Sequence, residues 1–164
     1  MVLCCEVLEH IAPKLLSKAC KELVRVSKRF LVIGVPYKQD IHLGRTTCLS
    51  CKGINPPWGH LNSFDEKKLR ELFKPLALRS TSFVGGEKAR TNAISTYLMD
   101  LAGNPWGTYN QEEPCVHCGK KLFQPSDIHL FQKMCSKIAL TLNSIEGHLV
   151  PSHPIWVHTV FEKV

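Results

Sequence analysis

The sequence predicts an α/β protein built on a largely parallel sheet, and three stretches carry that expectation. Residues 2–8, VLCCEVL, form a short apolar run suited to a buried strand. Residues 13–27 place apolar side chains at 15, 16, 19, 20, 23 and 24, the stripe of an amphipathic helix, with Pro13 suited to its first turn. Residues 30–37, FLVIGVPY, are continuously apolar and rich in β-branched side chains, as in a strand covered on both faces. Strand, helix and strand in this order make a βαβ unit, whose crossover is right-handed.

The later elements follow from local signals. Residues 38–62 carry turn chemistry (Gly44, Gly53, Asn55, Pro56, Pro57, Gly59) and read as a loop. Ser63 with Glu66 three residues on has the form of a capping box, and Leu69, Leu72 and Phe73 supply the buried face of the helix that follows. Residues 77–84, ALRSTSFV, alternate as a strand broken by Gly85-Gly86. Residues 91–102 predict a helix burying Ile94, Tyr97, Leu98 and Leu101. Residues 127–143 predict another, burying Ile128, Phe131, Cys135, Ile138 and Leu142. The stretch PIWVHTVFEKV alternates as a last strand. No internal repeat or low-complexity tract occurs.

A chain of 164 residues, 44% hydrophobic and 21% charged, has the composition of one globular domain spanning 1–164. No apolar run reaches the ~20 residues of a membrane helix, and the start, MVLCCEVLEH, lacks the basic segment of a signal peptide. No membrane partner and a cytoplasmic location are expected. The net charge of +7 admits an anionic partner such as nucleic acid. Its carriers, however, include Lys14, Lys18, Lys21, Arg25, Lys28 and Arg29, spread through helical stretches as on a solvated face. Oligomeric state is not readable.

Eight cysteines without a secretory signal do not form a disulfide framework. Four of them make two pairs, Cys48-Leu-Ser-Cys51 and Cys115-Val-His-Cys118. The two-residue gap lets both sulfurs of a pair reach one tetrahedral ion, and Gly119 allows the positive φ such knuckles need. The expected ion is a structural zinc, held by cysteine-bearing loops at 44–60 and 103–126. Redox pairs are the rival, but neither pair opens a helix after a thioredoxin-like strand. Four thiolates and one zinc would lower the +7 by two. Cys4, Cys5, Cys20 and Cys135 lie in apolar or amphipathic segments, as small core residues do. His117 is a poor ligand inside its knuckle, and His42, His129, His148, His153 and His158 have no partners at informative spacing.

The segments VLCCEVLEHI, ELVRVSKRFLVIGVPY, GHLNSFDEKKLRELF and PIWVHTVFEKV, in this order, resemble the second half of a class I S-adenosylmethionine-dependent methyltransferase of the Glu-Val-Leu-Glu-His type. The resemblance spans nearly the whole chain, interrupted by the cysteine loops. It implies a partial Rossmann-like sheet in the order four, five, seven, six, with the seventh strand antiparallel between the fifth and sixth. Both cysteine loops would then emerge at one rim of the sheet, so that 63 intervening residues (52–114) do not prevent a shared ion. The glycine-rich cofactor loop of the family has no counterpart, since Gly-x-Gly-x-Gly does not occur. The expectation is therefore a fragment, or the product of a gene read from an internal Met, that binds S-adenosylmethionine poorly by itself.

On this resemblance Cys4, Cys5 and Glu6 line the cofactor side, and Glu9, His10 and His60 line the side of a small-molecule or other polar acceptor. The Glu-x-x-Glu-His pattern also resembles families in which Glu6, Glu9, His10 and His60 would hold a second divalent metal beside the acceptor hydroxyls. In metal-free relatives of the type, Glu6 is a pocket polar group and His10 a hydrogen-bonded helix-start residue. Methyl transfer is an in-line displacement in which positioning dominates. The rival is a non-catalytic zinc-stabilised binding module. Asn55-Pro-Pro-Trp58 is similar to the motif of amino-methylating enzymes, but it follows the fifth strand rather than the fourth. It reads instead as stiff extended backbone leading from the zinc turn to the Ser63 cap and delivering His60, with Trp58 over the pocket.

Overall fold

A computed structural model describes residues 1–86 and 90–164. The elements in chain order are β1 (Val2–Cys5), α1 (Pro13–Val26), β2 (Phe30–Pro36), β3 (Thr46–Thr47), β4 (Ile54–Asn55), α2 (Glu66–Leu72), β5 (Ala77–Val84), α3 (Ala93–Leu101), α4 (Leu130–Leu149) and β6 (Trp156–Glu162). They form two compact units. The first comprises Met1–Gln39, Leu61–Glu87 and His153–Val164; the second comprises Asp40–His60 and Lys88–Ser152.

The first unit is an α/β unit with a mixed four-stranded sheet in the order β1-β2-β6-β5. β1 pairs parallel with β2 from Val2↔Leu31 to Cys5↔Gly34. β6 runs antiparallel to β2, from Phe30↔Glu162 to Pro36↔Trp156. It also runs antiparallel to β5, with a register shift between Leu78 and Ser80. Along β6 the buried residues Val157, Thr159 and Phe161 alternate with half-buried ones, the period-two pattern read from the sequence. Leu31, Ile33 and Val35 of β2 are fully buried, and α1 covers the sheet with Leu16 and Cys20. Phe73 packs on Phe161 at 5.1 Å between ring centroids, and full burial of each such side chain contributes roughly 1.5–3 kcal/mol. The lysines and arginines of residues 14–29 are all exposed, as expected of a solvated face.

Two expectations for this unit are corrected. β1 stops at Cys5 instead of running to residue 8, because Glu6 turns left-handed (φ 56°) while its amide donates to Gly34 O at 3.0 Å. The cap of α2 is Asp65, not Ser63. The Asp65 carboxylate accepts the Lys68 amide at 2.7 Å, whereas Ser63 uses its carbonyl, which receives Lys68 Nζ.

The second unit pairs α3 with α4 and adds the two-stranded hairpin β3–β4 inside the stretch expected to be loop. The helices run antiparallel. Thr91 Oγ1 donates to Asn143 Oδ1 and Asn92 Nδ2 to Glu146 Oε2, which joins the start of α3 to the far half of α4. Asn92 also caps α3 by accepting the Ser95 amide.

Both helices exist as read, but α4 begins at Leu130 and ends at Leu149. Cys135 is buried as expected, but the rest of the buried faces differ from those expected. Ser95 and Ala102 on the α3 side, and Cys135, Ser136 and Ala139 on α4, are buried, while Ile94, Tyr97, Leu101, Phe131 and Ile138 are exposed. Small side chains let two helices approach closely, so the contact selects them over the larger apolar neighbours. No helix among the described residues is long and apolar enough to cross a membrane.

Candidate metal centre

The two Cys-x-x-Cys pairs come together in the second unit, each in the same backbone device. In the first, the Cys48 amide donates to Gly53 O at 2.9 Å and the Lys52 amide to Cys48 O at 2.8 Å. In the second, the Cys115 amide donates to Lys120 O and the Gly119 amide to Cys115 O, both at 2.8 Å. The residue after each pair is left-handed: Lys52 at φ 60° and Gly119 at φ 70°. Glycine adopts that conformation without a steric penalty, as expected at 119, but lysine does not. β3 and β4 present the first knuckle at the tip of their hairpin, with Thr46 paired to Asn55 and Thr47 to Ile54.

The four sulfurs lie within 4.8 Å of one another. Cys48 Sγ is 3.7 Å from Cys118 Sγ, and Cys51 Sγ is 3.6 Å from Cys115 Sγ. A tetrahedral ion bonded to sulfur at about 2.3 Å sets its ligands roughly 3.8 Å apart, whereas a disulfide needs about 2.05 Å. All four cysteines are free. The spacing therefore fits a tetrahedral, sulfur-seeking ion such as zinc.

Electrostatics prepare two of the thiols for that role. The Cys51 amide, followed by that of Ser50 and the Cys118 and Cys51 thiols, lowers Cys48 to about 6 against the resistance of burial. Burial raises the Cys115 thiol, but the His117 and Cys118 amides outweigh it and bring it below its usual value. At Cys51 the Gly53 amide acts downward, yet burial and the three other sulfurs push the thiol up to about 12. Four thiols this close cannot all ionise without a cation among them.

Side chains around the sulfurs lock the centre, in roles that local sequence did not indicate. Asn55 is fully buried, donates from Nδ2 to Gly53 O at 3.0 Å, and accepts the Val116 amide on Oδ1 at 2.8 Å. It thus joins both knuckles. His117 is outside the sulfur cluster: its Nε2 donates to Ile54 O at 2.9 Å, and its ring lies against Gly53, where a Cβ would collide with it. Tyr109 receives the Thr47 amide on its hydroxyl at 2.9 Å and packs with Leu122, Cys48 and Cys115. Burial pushes the Tyr109 phenol up.

The stiff turn at Asn55-Pro-Pro-Trp58 takes a tighter path than expected. Pro56 is extended, but Pro57–Gly59 form a 3-10 turn in which Trp58 is left-handed (φ 56°). The Trp58 amide donates to Gln111 Oε1 at 2.7 Å.

The remaining predicted site residues fall as follows. Cys4 is buried in the core of the first unit, Cys5 is half-buried with its sulfur near Gly34, and Glu6 is exposed. Glu9 is fully buried, and neither carboxylate oxygen has a hydrogen-bond partner among the described residues. Burial raises its pKa above the ordinary carboxylate value. Its backbone carbonyl accepts the amides of Leu61 and Asn62, and Asn62 Nδ2 donates to Leu8 O and Ile11 O. His10 is half-buried; His60 is buried and ends the first segment of the second unit.

His148 and His153 bond locally, through Nδ1 to Ser144 O at 2.6 Å and to Pro154 O at 3.0 Å. One cavity of about 480 Å³ in the second unit had no sequence signal; Asp40, His42, Arg45, Thr96 and Asp100 help to line it. Arg45 pairs there with Asp100 at 3.0 Å and contacts His42 Nδ1, while Asp40 accepts the His42 and Thr91 amides, so its charges are mutually satisfied.

Comparison with protein-family models, curated proteins and solved structures finds no match to this chain. The assignment of the centre rests on its geometry.

Proposed function

We propose that this chain is the C-terminal portion of an S-adenosylmethionine-dependent methyltransferase acting on a small-molecule or other polar acceptor, with one structural zinc in its second unit. The observation that supports the enzymatic reading is the strand order β1-β2-β6-β5, with β6 antiparallel between β2 and β5. The buried carboxyl of Glu9 adds to it, because it lies just beyond the C-terminal end of β1, where open α/β sheets bind ligands. On this reading Cys5 and Glu6 belong to the cofactor side and Glu9 and His10 to the acceptor side. The glycine-rich turn that would cradle the cofactor does not occur in these 164 residues, so their own affinity for it is low.

The four-thiol spacing supports zinc over a harder ion, and a centre with four protein ligands leaves no position open for chemistry. The same centre, with the net charge of +7, favours a second reading: a non-catalytic, zinc-stabilised binding module for an anionic partner.

Nuclear magnetic resonance of the zinc-loaded chain with S-adenosylhomocysteine separates the two. The enzymatic reading expects millimolar ligand to shift the amides of residues 5–11. Shifts confined to the second unit, or none, would favour the binding module. Micromolar affinity in a calorimetric titration would overturn the low-affinity expectation.

A further inference from the structure

The apolar arc of α4 is wider than its contact with α3 requires. Cys135, Ser136 and Ala139 make the buried part, while Phe131, Met134, Ile138, Ile145 and Leu149 remain 44–79% exposed. α3 repeats the arrangement, with Ser95 buried and Ile94, Tyr97 and Leu101 at 66%, 63% and 43% exposure. At about 100° per residue the exposed strip lies roughly a third of a turn from the buried one on each helix, displaced in the same rotational sense. Because the helices run antiparallel, that shared sense sets both strips on one side of the hairpin. Lys133 and Lys137 lie beyond the α4 strip, which itself contains no charged residue.

We propose that this α3–α4 face docks a second copy of the same chain, forming a twofold-symmetric four-helix bundle. An antiparallel helix pair with one continuous apolar face is half of such a bundle. Phe131, Ile138 and Ile145 recur every seven residues, the spacing that interlocks with another helix rather than with a small ligand. Isologous pairing brings each patch against its own copy, and an uncharged patch meets itself without like-charge repulsion even in a chain of net charge +7. The eight side chains expose on the order of 800 Å², which equals one partner's share of a standard stable interface and exceeds the ~300–600 Å² patch of an ordinary monomer.

Sedimentation equilibrium of the zinc-loaded chain across micromolar concentrations tests this. The expected mass is twice the 18.5 kDa of one chain. Ile138→Glu with Ile145→Glu, at positions already exposed, should leave zinc content and helicity unchanged and raise the dimer dissociation constant by about a hundredfold or more. Phe131→Ala with Ile145→Ala is the milder pair, and should weaken association by a smaller factor without introducing charge. A wild-type chain that stays monomeric at several hundred micromolar, or a Glu variant that remains dimeric, overturns the proposal. So does a monomeric wild type that co-sediments with phosphatidylcholine–phosphatidylserine vesicles, which would give the face to a lipid surface.

Discussion

Asn55 Oδ1 accepts the Val116 amide at 2.8 Å, so one buried side chain on the first knuckle reaches the turn of the second. The two cysteine pairs are therefore coupled by a hydrogen bond as well as by whatever ion their sulfurs hold. Asn55→Ala removes the acceptor of the part-buried Val116 amide, at about 1 kcal/mol. Outer partners of this kind tune metal affinity by roughly 10–100-fold. Competition with a chromogenic chelator should show zinc released at correspondingly lower chelator concentration. Unchanged release would mean that the clasp is incidental.

The left-handed residues after each pair make opposite predictions. A Cβ at Gly119 meets nothing within 4 Å, so Gly119→Ala incurs only the conformational penalty, about 1 kcal/mol. Lys52 already bears that penalty at φ 60°, and Lys52→Gly should raise stability by a similar amount. Thermal unfolding of the zinc-loaded variants should move the two melting temperatures in opposite directions.

Stoichiometry distinguishes ligand thiols from packing thiols. The wild type should carry one equivalent of zinc by elemental analysis. Cys115→Ser should fall well below half an equivalent and melt earlier. Cys135→Ser, at a buried position on α4 outside the sulfur cluster, should retain the metal.

Glu9 predicts a pH dependence. Burial raises its folded-state pKa above the unfolded value of about 4.3. Its contribution to stability is thus fully present below that pH and is lost as pH rises through the folded-state value. Glu9→Gln stays neutral throughout. Urea midpoints measured from about pH 4 to about pH 8 should decline less for Glu9→Gln than for the wild type. Parallel curves would show that the carboxyl ionises without penalty.

What the sequence disclosed was what local spacing encodes. The βαβ start, the strands β5 and β6 and both cysteine knuckles are short-range patterns, and each is present, although burial alternates along β6 and not along β5. Ser63 and Asp65 are both good caps, and only the backbone path decided for Asp65. On α3 and α4 the apolar periodicity gave the helices and the burial of Cys135 but not the rest of the contact, because that uses Ser95, Ser136 and Ala139, whose small size carries no periodic signal. Asn55 stood out for a motif it resembles. Its actual partner, Val116, is 61 residues away, beyond any local rule.

The pairing of β6 also sets an order of assembly. β6 lies between β2 and β5, yet it follows every residue of the second unit in the chain. During synthesis the knuckles and the helix pair leave the ribosome while the sheet still lacks its central strand. The metal-bearing unit can mature first, and the sheet closes around a gap that the last strand fills. Until then β2 and β5 hold exposed edges, so a stall before residue 156 leaves the nascent chain open to aggregation through those edges.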